Sequence, residues 1–481
     1  MKNENKIFLL FKSIKTNETD IMYEFEIENK LYKSKVSYYS VNFKELEDKF
    51  TMEYMMRFYI ILGLMICGKV SASFVNEFQL GEYSKYVHEN INMEYSRSGW
   101  GILGEFRYKN DFPNLPLPRI VKQSKETMKI KTIEIKQKES TDENKGIVLV
   151  GGGKDSYAMV QILQKAKIDF DVLSINFSEY GDFKKQQEII LKMINSVKNN
   201  TTKVHHIDVQ DFELFEYIES TGLKTVPGMF ETPMSILLAF PIQLINGLKY
   251  VFIGNEKTAD YPNLYWNKEG DINHQWGKSL EAEKALNSLM YNNLSTNFRF
   301  FSIIKPLRDP VIFQCCKINE QNYYFCHSCN IKKPWCLNCP KCVYVLLSSL
   351  AYMEDYTVKL MQEKGEVSLD FLNNESNQLF FKQFLGIEPN IPFECVGQTP
   401  DALVAFMLVS LKNQKGKAID EFNKLKIKKE IMRKHIEKTF YVDEEYQFFP
   451  ESIKQRILDV INQCAEEGKK KVLECLETYS N

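Results

Sequence analysis

Hydrophobic and polar positions follow different patterns on the two sides of residue 146. Before it, three segments alternate apolar and polar residues as half-buried strands do: IFLLFKSI, MYEFEIEN and LYKSKVSYYSV. A stretch with apolar positions at helical spacing follows at residues 50–68. This pattern predicts a mixed α+β module over residues 1–135, an accessory fold that shapes a substrate mouth.

From residue 146 onward, short continuous apolar runs alternate with helical patterns. The runs are typical of strands buried on both faces: GIVLVG, DFDVLSINF, TKVHHIDV and KYVFIG. Three helices are predicted between them: GGKDSYAMVQILQKA, QQEIILKMINSVK and PMSILLAFPIQLING. The alternation predicts an α/β domain with a doubly wound parallel sheet over residues 146–345. We expect a solvated linker at residues 136–145 and a mainly helical region over residues 346–481.

The first buried strand runs directly into a glycine-rich turn where a helix begins. Its residues are Gly151, Gly152, Gly153, Lys154, Asp155 and Ser156. Glycine permits close backbone approach, and a helix N-terminus offers unpaired N–H groups to an anion. The turn therefore predicts a phosphate site; the alternative is a tight strand-to-helix turn without a ligand.

A second polar block follows the fourth predicted strand. It contains Asn255, Glu256 and Asp260, and it falls at the sheet edge where open α/β sheets bind ligands. Glu256 and Asp260 could hold Mg²⁺ through one or two carboxylates. The alternative is a capped, solvated loop.

The segment NHQWGKSLEAE carries a third set of candidates. If it is helical, His274, Lys278 and Glu281 share one face, where they could bind an anionic substrate and move protons. An exposed face of linked charges would explain the same residues equally well. Trp276 and Leu280 lie on another side of that helix and are expected in the core.

Seven of the eleven cysteines lie between Cys315 and Cys342. Four of them, Cys329, Cys336, Cys339 and Cys342, have the spacing of metal ligands, and we expect a closed structural zinc site. Four thiols complete such a site, and Cys326 and His327 are two further candidate ligands nearby in sequence, so the exact ligand set stays open. Overlapping C-x2-C pairs also occur in iron–sulfur proteins, which leaves a cluster as the alternative.

Charge and apolar runs narrow the class of protein. The 62 Lys and Arg residues nearly balance 63 Asp and Glu among 481 residues, which argues against nucleic acid or a membrane surface as the partner. The run YMMRFYIILGLMIC at residues 54–67 contains Arg57 and is shorter than the roughly 20 residues of a membrane span, so we expect a buried helix. The beginning of the sequence lacks a signal-peptide pattern, and a reducing cytoplasm is the expected location.

The glycine-rich turn resembles the S-G-G-x-D-S loop of the PP-loop ATP pyrophosphatases, which share an adenine nucleotide alpha hydrolase-like fold. This resemblance implies that ATP is split into AMP and pyrophosphate. Gly152, Gly153, Asp155 and Ser156 match the loop in place, whereas Gly151 stands where that superfamily usually has serine. Gly151 lacks the side-chain hydroxyl that serine would offer to pyrophosphate at this position.

Four further blocks resemble the MurL-type UDP-N-acetyl-α-D-muramoyl-L-alanyl-L-glutamate epimerases of bacterial cell-wall synthesis. They are GNEKTADYPNLYW, INHQWGKSLEAEKAL, SCN followed by WCLNCPKCVYVLL, and PFECVG, and the resemblance covers about residues 145–410. It implies an enzyme that uses ATP and Mg²⁺ to invert the terminal L-Glu of UDP-MurNAc-L-Ala-L-Glu, a small-molecule substrate. Adenylation of the carboxylate next to Cα removes a charge that opposes deprotonation, so a side-chain base can take the proton.

The same resemblance implies roles for individual residues. Gly152 to Ser156 would hold pyrophosphate, with Lys154 helping to neutralise it, and Asn255, Glu256 and Asp260 would bind Mg²⁺ or orient substrate. The candidate proton carriers or substrate contacts are His274, Lys278, Glu394 and Cys395. A thiol of matched pKa can serve as a racemising base, although a buried, inert Cys395 is equally compatible with the sequence.

Two other functions share some of these features. A PP-loop ligase similar to 7-cyano-7-deazaguanine synthase, which joins an amine to an activated carboxylate, would carry the same loop and thiols. A catalytically silent nucleotide-binding regulator is the third hypothesis, because of Gly151.

Overall fold

The computed structural model describes most of the chain. The described residues are 7–73, 75–88, 91, 101, 103–113, 118–124, 127–136, 144–199, 201–224, 230–329, 331–332, 334–365 and 367–479. Most of the predicted linker, residues 137–143, lies outside them.

Twelve strands are defined within these ranges. They are β1 (Ile7–Thr16), β2 (Asp20–Ile27), β3 (Lys30–Tyr38), β4 (Val75–Gln79), β5 (Arg119–Val121), β6 (Gly146–Leu149), β7 (Phe170–Phe177), β8 (Val204–Gln210), β9 (Tyr250–Ile253), β10 (Leu264–Trp266), β11 (Gly270–Ile272) and β12 (Arg299–Ser302). The predicted strands of both halves are confirmed.

The α-helices of the same ranges follow the predicted positions closely. They are α1 (Phe43–Lys49), α2 (Met52–Cys67), α3 (Gly104–Asn110), α4 (Lys154–Lys165), α5 (Phe183–Val197), α6 (Phe212–Ser220), α7 (Glu231–Leu238), α8 (Phe240–Asn246), α9 (Leu280–Asn293), α10 (Asp309–Cys316), α11 (Pro340–Tyr352), α12 (Asp355–Lys364), α13 (Gln378–Phe384), α14 (Thr399–Leu411), α15 (Lys417–Lys424), α16 (Lys429–Thr439) and α17 (Glu451–Thr478). Short 3-10 turns include Lys257–Asp260 and Trp276–Lys278. The single helix predicted for PMSILLAFPIQLING is wrong in detail: α7 ends at Leu238 and α8 restarts at Phe240, with Pro241 in its first turn.

Ten strands form one mixed sheet in the order β12-β9-β6-β7-β8-β3-β2-β1-β4-β5. The five strands from β12 to β8 are parallel. Numbered along the chain, these five lie in the order 3-2-1-4-5 from β8 to β12, and the order reverses between β6 and β9. Ligands of open α/β sheets bind at such a reversal, outside the carboxyl ends of the strands.

The antiparallel strands β1 to β3 extend the same sheet. β3 pairs with β8, with Val36 opposite Val209. The N-terminal strands thus continue the sheet that carries the glycine-rich turn, while the predicted boundary near residue 140 stays a prediction.

Helices cover both faces of the parallel strands. Within β6, Ile147 packs into one hydrophobic core and Val148 into the other. Burial on both faces explains why these strands are continuously apolar. The α/β architecture is confirmed at this level.

The apolar run at residues 54–67 is the buried helix α2, as predicted. Arg57, the charged residue within the run at residues 54–67, donates hydrogen bonds from Nε to the Tyr86 carbonyl at 2.9 Å and from Nη1 to the Asn293 carbonyl at 3.2 Å. Nowhere in the described part of the chain does a helix combine the length and apolar character needed to cross a membrane.

The region after α11 is helical, as predicted, and it is tied to the sheet by buried polar contacts. Arg308, which precedes α10, donates two hydrogen bonds to the Asp401 carboxylate of α14 at 2.9 and 2.8 Å. This bidentate pair fixes the start of α10 against α14 and the segment that precedes it.

Candidate functional site

A cavity of about 250 Å³ opens at the carboxyl ends of β6, β7 and β9. Its apolar wall includes Leu149, Leu173, Ile175, Phe177 and Ile190. Polar groups line the rest, among them Asp155, Ser156, Lys278 and Lys341. The strand order places this cavity next to the reversal between β6 and β9, where a ligand is expected.

The glycine-rich turn forms one border of the cavity. Gly152 has a φ of +85°, and a Cβ there would lie 2.2 Å from Cε1 of His327. The backbone N–H of His327 donates to the Gly152 carbonyl at 2.9 Å, so the segment after Tyr323 lies directly on the turn. The backbone N–H of Gly151 donates to Ser156 Oγ at 3.1 Å, and Gly153 precedes the first residue of α4. Glycine is therefore required at position 152 for conformation and for space.

Lys154 points into the protein. Its Nζ lies 2.5 Å from Asp155 Oδ1 and 2.5 Å from Asp309 Oδ1. Burial opposes the charge, but the two carboxylates raise the pKa of Lys154 well above its usual value. Tyr344 donates to the other oxygen of Asp309 at 2.9 Å. Lys154 is thus engaged by carboxylates beneath the turn.

Glu256 and Asn255 follow β9 as predicted. Ser302 holds the Asn255 backbone. The Ser302 Oγ accepts from the Asn255 N–H at 2.9 Å and donates to the Asn255 carbonyl at 2.7 Å. Glu256 is 2% exposed, and its Oε2 has no hydrogen-bond partner among the described residues. Burial, and then the charge of Asp155, raises the pKa of Glu256.

One oxygen of Asp260 is engaged within the local fold. Its Oδ1 accepts from Lys305 Nζ at 2.8 Å and from the backbone N–H of Leu280 at 2.7 Å. Lys305 also donates to the carbonyls of Glu256 and Lys278 at 3.2 and 2.9 Å. Buried Lys305 therefore holds both polar blocks in place.

Lys278 joins the cavity to a thiol. It lines the cavity, and its Nζ lies 3.2 Å from Cys395 Sγ. Burial alone would raise the pKa of the Cys395 thiol, but the charges of Lys278 and Lys341 and a hydrogen bond with His274 lower it to about 6. Burial opposes the charge of Lys278 as well, whereas Cys395 and Glu256 raise its pKa. At neutral pH the half-buried thiol is thus a thiolate beside two cations.

His274 contacts Cys395 and a carboxylate that the sequence did not suggest. Its Nδ1 pairs with Glu105, which lies on α3, before the glycine-rich turn in sequence, and is 2% exposed. Burial opposes protonation, but hydrogen bonds to Cys395 and Glu105 raise the pKa of His274 to about 10. The His274 side chain thus interacts with both the Glu105 carboxylate and the Cys395 thiol.

Asn263 aligns the segments that carry His274 and Cys395. Its Oδ1 accepts from the His274 backbone N–H at 2.9 Å, and its Nδ2 donates to the Pro392 carbonyl at 2.9 Å. Gly397 is needed on the same segment, since a Cβ there would lie 1.9 Å from the Tyr344 hydroxyl. Backbone contacts thus set the distance between imidazole and thiol.

The expected helical stripe of His274, Lys278 and Glu281 is wrong. His274 precedes the 3-10 turn Trp276–Lys278, and α9 begins only at Leu280, capped by Ser279 and Asp260. Glu281 accepts a hydrogen bond from Trp276 Nε1 at 2.9 Å. Trp276 and Leu280 are half-buried, and Leu280 packs against the hydrophobic core as expected. Lys278 and His274 meet at Cys395, while Glu394 is half-buried next to it in the chain.

The four predicted cysteines form a cluster that could hold a metal ion such as zinc. The sulfur atoms of Cys329, Cys336, Cys339 and Cys342 all lie within 4.8 Å of one another. Backbone N–H groups of Ile331 and Lys332 donate to Cys329 Sγ at 3.3 and 3.2 Å. Four thiols in this arrangement fit a closed tetrahedral site, which leaves no open position for a reactant.

Cys326 and His327 stand outside this group of four sulfurs. Cys326 is buried, and the His327 ring packs on Gly152. The cluster begins at Cys329, two residues beyond His327, and its last two cysteines flank Lys341. A metal here would fix the segment that covers the glycine-rich turn and the lysine that faces Cys395.

Five residues of this region escaped the sequence analysis: Glu105, Asn263, Lys305, Asp309 and Lys341. Glu105 and Asp309 are far in sequence from the groups they contact, so no local pattern marks them. Asn263 lies inside GNEKTADYPNLYW, and Lys341 lies between two predicted ligands, so both were within reach.

Two family profiles match the chain segments that build most of this site. The family profile of the MurL N-terminal domain matches residues 100–303, and that of the MurL C-terminal domain matches residues 313–435. Together they span about two thirds of the chain, including the segments that carry Glu105, His274 and Cys395.

Three curated relatives carry the name UDP-N-acetyl-alpha-D-muramoyl-L-alanyl-L-glutamate epimerase. The protein of Micromonospora sp. is 26% identical over 321 residues, which are 65% of this chain and 66% of the relative. The protein of Salinispora tropica is 26% identical over 56% of each chain, and that of Xanthomonas oryzae pv. oryzae is 27% identical over 55% of this chain and 56% of its own length. The chain thus matches between about half and two thirds of the length of these relatives.

Proposed function

Because the chain belongs to the MurL epimerase family, we propose that it inverts the terminal L-Glu of UDP-MurNAc-L-Ala-L-Glu to D-Glu. The reaction consumes ATP with Mg²⁺ and releases AMP and pyrophosphate. Adenylation of the glutamate carboxylate next to Cα gives a carbonyl into which the enolate charge can delocalise. Hydrolysis of the acyl-adenylate after inversion then makes the cycle irreversible.

One observation carries this proposal: Lys278 borders the same cavity as Asp155 and Ser156, and it also contacts Cys395. A substrate carboxylate activated at the glycine-rich turn would have its Cα near a thiolate. Proximity of activation and deprotonation is what this chemistry needs, because only the activated Cα is acidic enough for a side-chain base.

We assign the proton transfers to the group around the thiolate. Cys395 takes the Cα proton, since its pKa of about 6 leaves it ionised at neutral pH. The cations beside it, His274 and Lys278, supply the proton that returns, and Lys341 contacts a substrate carboxylate. Glu394 remains a candidate contact next to Cys395.

The residues Gly151 to Ser156 are proposed to hold the pyrophosphate of ATP through backbone N–H groups in a PP-loop fold. Glu256 is the proposed magnesium ligand, because its buried Oε2 lacks a partner in the described part of the chain, with Asn255 beside it. Asp260, whose Oδ1 already accepts from Lys305 and from the start of α9, would orient the site. Lys154 acts from beneath, by neutralising Asp155 and Asp309.

Zinc is the proposed occupant of the four-cysteine cluster, with a structural role. It would fix the residues that lie on the glycine-rich turn. The reduced thiols and the nucleotide substrates favour a cytoplasmic location.

Isotope exchange tests the proposal directly. In heavy water with ATP and Mg²⁺, UDP-MurNAc-L-Ala-L-Glu should yield D-Glu product that carries deuterium at Cα, with AMP and pyrophosphate. Without ATP the exchange should stop. Cys395→Ser should lose inversion by about 100-fold or more while pyrophosphate release persists, whereas Cys475→Ser, on the distant α17, should behave as wild type.

Two results would overturn the proposal. Amide formation with retention of the L configuration would identify an amide ligase. Stoichiometric formation of ADP would show that ATP is cleaved between its β- and γ-phosphates and would exclude the release of pyrophosphate.

A further inference from the structure

The N-terminal module contributes a carboxylate to the thiol site. We infer that Glu105 is a positioning residue of the proposed epimerisation: it fixes the ring of His274 and keeps it cationic, so that Cys395 stands ready as a thiolate. This inference rests on the proposed function for its catalytic meaning. Its geometric basis is the pairing of Glu105 with His274, the contact of Lys278 with Cys395, and the packing of Phe393, two residues before Cys395, against the His274 ring.

The contacts of His274 leave its ring little freedom. Nδ1 pairs with Glu105, and the ring also hydrogen-bonds to Cys395. The backbone N–H of His274 is fixed by Asn263. An imidazole that faces a carboxylate and a thiolate can satisfy both only when both ring nitrogens carry protons.

Helix α3 is itself fixed to the segment that carries the thiol. The ring of Tyr108, on α3, stacks on that of Phe393 with centroids 5.2 Å apart. Phe393 also meets the His274 ring edge-on at 6.4 Å, and Lys109 pairs with Glu105. Glu105 is thus a buried carboxylate anchored on two sides, as a residue that orients a histidine must be.

The charges around the thiol act in the same direction. Lys278, Lys341 and His274 face Cys395 as cations, and the Tyr180 hydroxyl lies within range of its charge. Lys109 faces Glu105, and Glu256 faces Lys278. Cys395 and Glu105 both raise the pKa of His274 against the effect of burial, so removal of Glu105 takes away one of the two groups that keep the ring protonated.

This geometry gives a signed expectation for loss of the Glu105 charge. Deleting an anion would by itself make the site more positive and lower the Cys395 pKa. Loss of the imidazolium has the opposite effect, and it dominates, because His274 interacts with the thiol directly whereas Glu105 acts on the thiol through the His274 ring. The Cys395 pKa should therefore rise toward the ordinary thiol value of about 8.5.

The experiment compares Glu105→Gln, Glu105→Asp and Glu269→Gln in the full chain. Glu269 pairs with Arg107 of the same helix at 4.0 Å, so its variant removes a carboxylate near α3 without touching His274. The first readout is the pH dependence of Cys395 alkylation by iodoacetamide, followed on the Cys395 peptide by mass spectrometry. The second is the pH profile of kcat for inversion.

Wild type should lose activity as pH falls through about 6, where the thiolate is protonated, and as pH rises through about 10, where His274 loses its proton. Glu105→Gln should raise the pKa of the acidic limb of the kcat profile and lower the pKa of its basic limb, so that the active pH range narrows. It should also lower kcat by about 100-fold. Glu105→Asp should lie between the two, because the charge is kept at a longer distance. Glu269→Gln should match wild type in both readouts.

The outcomes separate the two proposals. An unchanged or lowered alkylation pKa in folded Glu105→Gln overturns the role of Glu105 even if the wild-type chain epimerises. A raised alkylation pKa in a chain that does not epimerise UDP-MurNAc-L-Ala-L-Glu supports the role of Glu105 and overturns the proposed function.

Discussion

The reactivity of single residues here follows from the charges around them. Cys395 and Cys67 are both partly or fully removed from water, yet burial dominates for Cys67 and raises its pKa, while Lys278, Lys341 and His274 lower that of Cys395. A thiol beside cations is a base or nucleophile at neutral pH, and a thiol in an apolar helix is a small hydrophobe. The neighbours, more than the residue type, decide which cysteine can react.

Gly152 offers a test at the same scale. Gly152→Ala should lower ATP-dependent pyrophosphate release by at least about tenfold, because its Cβ would meet the His327 ring and displace the turn. Gly222→Ala is the matched control: Gly222 also has a positive φ, +74°, but no atom of the described residues lies within 4 Å of its added Cβ. It should cost only about 1–2 kcal/mol of stability and keep the activity. Equal losses of release in both variants would contradict a ligand-binding turn at Gly152.

At the scale of elements, residues at the start of α11 belong both to the sulfur cluster and to the lining of the cavity. Cys339 and Cys342 belong to the sulfur cluster, and Lys341 between them borders the cavity. The segment before the cluster lies on Gly152 through His327. A metal bound by the four sulfurs would therefore stabilise the fold and shape the site together.

Removal of one sulfur should reveal both effects. Cys336→Ser should reduce bound zinc from about one per chain to a small fraction, lower the melting temperature, and raise the KM for ATP, because the cover of the glycine-rich turn loosens. Cys475→Ser, outside the cluster, should change none of these. Metal content by atomic emission and KM by pyrophosphate release are the measurements. A fully metal-free wild-type preparation with an unchanged melting temperature would refute the structural metal.

At the scale of the whole molecule, the site is assembled from three distant parts of the chain. Glu105 lies on α3, before the parallel strands in sequence. The glycine-rich turn follows β6, and Lys278 lies in the 3-10 turn before α9. Cys395 lies between α13 and α14. Buried polar contacts hold these parts together. Tyr446, near α17, donates to Glu283 of α9, and Lys257 pairs with Asp443 at 2.6 Å.

The Glu283 contact predicts how stability depends on pH. Burial raises the pKa of Glu283 to about 7, against the hydrogen bond from Tyr446. In the unfolded chain the same carboxyl has a pKa near 4.3, so the unfolded state releases the proton first and stability falls as pH rises from about 4.3 to about 7. Glu283→Gln should flatten this decline in melting temperature between pH 5 and pH 8. An equal decline in the variant would show that other groups cause it.

The sequence by itself determined the features that depend on neighbouring residues. Period-two alternation predicted β1 to β3, continuous apolar runs predicted the parallel strands, and cysteine spacing predicted the sulfur cluster. The glycine-rich turn was also predicted, because a strand, glycines and a helix follow one another directly in the chain. These signals are local, and local sterics and periodic burial suffice to produce them.

Only the tertiary structure decided which distant groups meet. The pairing of β3 with β8 and the docking of α3 on Phe393 bring Glu105 to His274 across 169 positions of sequence. His274 precedes the 3-10 turn before α9 and so does not lie on the expected helical face. Asn263 hydrogen-bonds to the backbone of both His274 and Pro392 and thereby holds His274 next to the segment that carries Cys395. The charge state of Cys395 depends on these contacts, because the strength of an electrostatic interaction depends on the distance between the charges in space and not on their separation along the chain.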